Sequence, residues 1–156
     1  MIAHESAPYV QSATPRKDQL ETRSRLVIRR TGYASDEESI YFWAEGTDRD
    51  LFEWRAYKID GRGDWTTSSA ADCPFVESAL KWAGPLQVTL LIPDYSEPIP
   101  PPQPPRMHDI SYRVRATASV GGSPTVVELG LQGNYPGFSF SELFAAPSCW
   151  RPVSPE

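Results

Sequence analysis

A chain of 156 residues with 40% hydrophobic and 12% aromatic residues has enough apolar material for a sizeable core, ordinarily in one domain. Its net charge of −5 and pI near 5.1 exclude the basic surface that nucleic acid or an anionic membrane requires, and make a basic partner easier to accommodate than an acidic one. Sixteen prolines predict short strands and many loops rather than long uninterrupted elements.

Residues 1 to 22 are polar and show no sustained period, so they read as a mobile N-terminal tail. Within it, Thr14 to Glu21 has the makings of a short capped helix. The first residues lack the basic and apolar regions of a signal peptide, which leaves a cytosolic chain or one whose signal has been removed. From Arg23 onward a single domain, 23–156, is expected.

Leu26-Val27-Ile28 lies in a first strand, and Gly32 with the acidic Asp36-Glu37-Glu38 makes a turn into a second, Ser39 to Ala44. After a turn at Gly46 to Asp50, Leu51 to Ile59 forms a third strand. There Phe52, Trp54 and Ala56 share one face and Glu53, Arg55 and Tyr57 the other, the pattern of a sheet with one wet side. Asp60 to Asp64 turns the chain again, and Trp65 to Ser68 reads as a short edge strand.

Asp72 to Pro85 is the one clear helix, over about 73–84. Asp72 is placed to cap it, Pro74 suits its first turn, and Gly84-Pro85 ends it. Val76, Ala79, Leu80 and Ala83 recur at the spacing of one buried stripe, which should lie on the sheet. Leu86 to Ile92 reads as a buried strand, and Pro98 to Arg106 as a polyproline crossover. Ile110, Tyr112, Val114, Ala116 and Ala118 then alternate strictly with polar residues. Gly121-Gly122 closes a hairpin onto a return strand, Thr125 to Gln132. Ser141 to Ala146 can form one or two helical turns before Cys149-Trp150. The fold class is therefore α+β: a mainly antiparallel sheet of six to seven strands with one principal helix packed on it.

The only two cysteines, Cys73 and Cys149, stand at the start of the helix and the end of the last structured segment. A bridge between them would close a loop of about 77 residues and, on the chain-entropy account, stabilise the fold by about 4 to 5 kcal/mol; the other reading is two buried thiols. Neither has a CxxC partner or a nearby histidine, so no metal centre, cofactor or thiol redox role is expected. Arg62-Gly63-Asp64 matches the tripeptide that integrins recognise, but with Gly61 it reads first as a hairpin turn. Pro101 to Arg106 resembles the PxxPxR ligands of SH3 domains, and reads first as a stiff crossover.

No catalytic frame is present. His108 beside Asp109, with Asp94, is the one combination that would serve a small hydrolase, and no positioned nucleophile accompanies it. The five tryptophans would serve a carbohydrate-binding module if they were exposed. The favoured reading is a non-enzymatic protein-binding domain, an inhibitor or toxin-neutralising immunity protein, periplasmic or secreted, with a cytoplasmic location as the alternative. Its contacts to a basic partner are expected at Asp36, Glu37, Glu38, Trp43, Trp54 and Tyr57. The succession of a post-helix strand, a proline stretch, a hairpin and the terminal Cys149-Trp150 loosely resembles small envelope proteins of Gram-negative bacteria, which implies export.

Overall fold

The structure, a computed structural model, describes residues 15–32, 37–48, 51–84, 87–88, 110–132 and 140–153. The predicted strand at 86–92 lies within them only at 87–88, and the proline segment lies outside them.

The α+β class holds. Among the described residues eight strands form one sheet, and three short helices pack on it. The strands are β1 (Leu26–Thr31), β2 (Glu38–Asp48), β3 (Leu51–Ile59), β4 (Trp65–Ser69), β5 (Gln87–Val88), β6 (Ser111–Val120), β7 (Ser123–Gln132) and β8 (Arg151–Pro152). All pairings are antiparallel except β5 with β6. β7 runs the full length of one side of β6. A strand has two sides, so β1, at Ser111 to Ala116, and β5, at Ser119 and Val120, share the other. Beyond β1 the order is β2, β3, β4, β8. β4, expected at the edge, is covered at Thr66 and Thr67 by β8.

The turns follow from their residues. Gly121 (φ 58°) and Gly122 (φ 84°) adopt the left-handed conformations that a two-residue hairpin turn needs. In the β3–β4 turn, Asp60 Oδ1 accepts from the backbone N–H of Arg62 (2.9 Å) and of Asp64 (3.0 Å). Arg62-Gly63-Asp64 is thus the tip of that turn, as its first reading had it.

One face of the sheet is a conventional apolar core. Leu26, Ile28, Ile40, Phe42, Ala56, Tyr112, Val114 and Ala116 project to it and are buried under α2 (Pro74–Ala83) and α3 (Phe140–Ala145). α2 contributes Val76, Ala79 and Ala83; Leu80, expected in the stripe, is half-buried at its side. Asp72 does not cap this helix. Cys73 is the N-cap residue, without a side-chain cap, and Asp72 lies one residue outside, where its own N–H donates to Ser69 Oγ at 3.2 Å. Cys73 and Cys149 are bonded, with 5.2 Å between their Cα atoms.

α3 is too short to stand alone, and its last carbonyls find partners outside the helix. The Ala146 N–H donates to Glu142 O (2.9 Å), Trp150 Nε1 to Leu143 O (2.8 Å) and Lys58 Nζ to Phe144 O (2.9 Å). Tyr112 stacks on Phe140 at 4.9 Å between ring centroids, and Trp82 meets the same ring edge-on at 5.5 Å.

The other face differs from its expected wet character. Val27, Tyr41, Trp43, Tyr57 and Ile59 form a second buried cluster there, closed by Leu20 of α1 (Lys17–Arg23). The tail boundary at residue 22 therefore falls inside a packed helix, and Leu20 is fully buried. Tyrosine and tryptophan allow either outcome, because their rings bury apolar area while their polar tips, O–H and N–H, can donate a hydrogen bond to water or to a protein acceptor.

Candidate functional site

The acidic and aromatic residues predicted as contacts do not assemble into one patch. Asp36 lies outside the described residues. Glu37 stands exposed just before β2, with Oε1 3.7 Å from Arg29 Nη1. Glu38 opens β2 opposite Arg30 of β1, with 3.8 Å between their charged atoms. Successive strand residues point to opposite faces. Glu38 and Trp54 share the α2 face with Ile40 and Ala56, whereas Trp43 and Tyr57 share the α1 face with Tyr41 and Ile59.

Trp43 and Tyr57 are corrected from surface contacts to core residues, 1% and 2% exposed. Trp43 Nε1 has no acceptor among the described residues. Tyr57 Oη donates to Glu45 Oε2 at 2.6 Å, and burial, reinforced by that bond, raises its pKa well above the ordinary tyrosine value. Trp54 is half-buried and edge-on to Phe52 at 5.7 Å. All five tryptophans are buried or half-buried, so they present no exposed aromatic platform. His108, Asp109 and Asp94 lie outside the described residues.

What the chain does assemble is a polar groove of about 410 Å³ at one end of the α1 face, between α1 and the β3–β4 turn. Its walls carry Lys17, Glu21, Arg29, Glu37, Ser39, Tyr41 and Asp60, and Ile59 lies among them. At its centre Glu21 accepts two hydrogen bonds from Arg29, at 2.5 and 3.2 Å, and one from the Tyr41 hydroxyl. The Arg29 bond is the largest influence on the Glu21 carboxyl and holds its pKa below the usual carboxylate value, against the opposing effect of partial burial. Burial raises the Tyr41 hydroxyl, and its bond to Glu21 adds to this. Arg115 donates to the backbone carbonyl of Glu21, so one residue of α1 is bound to both β1 and β6.

These contacts answer a problem set by the register. Arg29 lies directly opposite Arg113 across β1 and β6, a like-charge pair that destabilises a sheet unless it is countered. Glu21 and Glu37 counter Arg29, and Glu128 counters Arg113 at 3.4 Å. The small cavity beside Arg29, Arg113 and Arg115 measures about 60 Å³, room for water rather than a ligand. Glu21, Arg29, Tyr41 and Asp60 are far apart in sequence and come together only through the strand order, so no local sequence signal marks them.

Among the described residues no group of three His, Cys, Asp or Glu side chains is placed to hold a metal ion, and no helix is long and apolar enough to cross a membrane. No protein-family model matches the chain, and comparison with curated proteins and with solved structures finds no match to either.

Proposed function

We propose that this chain is a non-enzymatic protein-binding domain of an oxidising compartment, periplasmic or secreted. It would act as an inhibitor or toxin-neutralising immunity protein, receiving a basic side chain of its partner at the groove between α1 and the β3–β4 turn. The observation that carries the reading is the charge balance of that groove. Glu21, Glu37 and Asp60 face Lys17 and Arg29, an excess of one negative charge (three acids against two bases). Glu37 is the loosest of its three acids, exposed and held by Arg29 only at 3.7 Å. A cation arriving at the rim can take Glu37 without breaking the tighter Glu21–Arg29 pair. The disulfide supports the compartment, since such bonds persist where thiols are not kept reduced.

The test begins with a photo-crosslinking residue at position 37 and, as control, at position 81 on the exposed side of α2. A partner captured only from position 37 is then purified, and its binding is measured with the Glu37→Gln variant and with the Asp36→Asn, Glu37→Gln, Glu38→Gln triple variant. The expected result is slower association with a flatter salt dependence. Unchanged affinity and unchanged salt dependence would sink the proposal.

A further inference from the structure

The two edges of the sheet are unlike. One ends in β8, two residues long; the other ends in β7, ten residues long and paired on one side with β6 over its whole length. Among the described residues no strand pairs with the other side of β7. Proteins ordinarily blunt such an edge with lysine, bulges, proline or brevity. In β7 the register with β6 is unbroken, there is no lysine, and the one proline, Pro124, stands second in the strand. Val126 is 67% exposed, the large hydrophobic side chain that the described surface leaves in water.

We propose that a second copy of this chain pairs with β7, antiparallel, about a two-fold axis through the Val126 pair. Antiparallel geometry restricts the choices. In an edge strand alternate residues turn their N–H and C=O outward, and pairing two identical strands matches outward with outward only when some residue faces its own counterpart. Centring on Glu128 would set two carboxylates face to face, which is unfavourable. Centring on Val127 would set Val126 against Glu128 of the other copy. Centring on Val126 joins the two exposed valines, sets Thr125 against Val127, and sets Glu128 against Pro124, with no like charges opposed. This interface lies beyond β6 and β1 from the groove, so it neither needs nor disturbs the binding reading above.

Pairing through one strand falls at the low end of interface size, so the dimer is expected to be weak and concentration-dependent. The test uses the whole chain. Sedimentation equilibrium should show self-association that rises through the high micromolar range and is abolished in Val126→Lys, whose thermal midpoint stays that of the parent. Because Cys73 and Cys149 are already joined, Val126→Cys adds a single free thiol. On mild oxidation it should give a covalent dimer, whereas Glu128→Cys, opposite Pro124 in this register, should give far less. A parent chain that remains monomeric up to about millimolar concentration, or a Glu128→Cys variant that cross-links as readily as Val126→Cys, overturns the proposal.

Discussion

The two faces of the sheet are closed by different physics. Under α2 and α3 the contacts are aliphatic and aromatic, with a covalent tie at Cys73–Cys149. Under α1 a single leucine covers a cluster whose tyrosines point their hydroxyls at carboxylates, and the helix is held by Glu21. The first arrangement depends mainly on area removed from water, and its charged tie from Lys58 to the Phe144 carbonyl involves no carboxylate. The second combines a small apolar plug with a hydrogen-bonded ion pair, so protons can loosen it. One chain thus carries a face built for permanence and a face whose cover is conditional, and the groove lies on the conditional one.

The contrast is broken most severely by removing the tie. The Cys73→Ala, Cys149→Ala double variant should lose about 4 to 5 kcal/mol on the chain-entropy account, read as a lower denaturant midpoint. The α2 face should lose amide protection first. A loss confined to the α1 face would mean that the disulfide does not serve the core beside it. Next in size is Leu20→Ala, which leaves a cavity under α1 and should cost about 2 to 5 kcal/mol. Hydrogen exchange should quicken at β2 and β3 residues of the α1 face and in α1 itself, while α2 remains protected.

A smaller effect comes from pH. The Glu21 carboxyl is depressed in the folded chain, so its contribution is present above the ordinary carboxylate value of 4.5 and is lost as pH falls through the folded value. Acidification below about pH 4.5 should therefore release α1 before α2. In Glu21→Gln the protection of α1 should be lower at neutral pH and flat across that window. If α1 of the variant still loosened on acidification with the parent's profile, another group would be responsible. The smallest effect is expected at the exposed Glu77–Lys81 pair on α2, 3.0 Å apart. Glu77→Gln should cost about 0.3 to 0.5 kcal/mol, near the limit of denaturation measurements.

Much of this was legible in the residues. The alternation from Ile110 to Ala118 identified β6, the Val76, Ala79, Ala83 stripe identified α2, and two cysteines at element ends indicated the bridge. The α1 face was not legible, because Tyr41 and Trp43 lie in the apolar run Ile40 to Ala44, which shows no period of two, Tyr57 shares its strand face with Glu53 and Arg55, and amphipathic rings fit water or core equally well. What settles the matter is Leu20, brought by a helix that precedes β1. The scatter of the expected contact set was, by contrast, available in the strand period. Glu38 and Trp43 are an odd number of residues apart, as are Trp54 and Tyr57, and odd spacing in a strand means opposite faces. The groove needed knowledge of which strands are neighbours, and β1 lies beside β6 at a sequence separation of 80, as Thr31 beside Ser111 shows.

The same bridge has a bearing on how the molecule survives damage. Cys73 and Cys149 are 76 positions apart, so nearly half of the peptide bonds lie within the covalent ring they close. A protease that cuts the chain once anywhere inside that ring opens it without releasing a fragment. The nicked molecule would travel as one species until a reductant separates its two pieces, and both would stay tethered to the strands and helices that pack them.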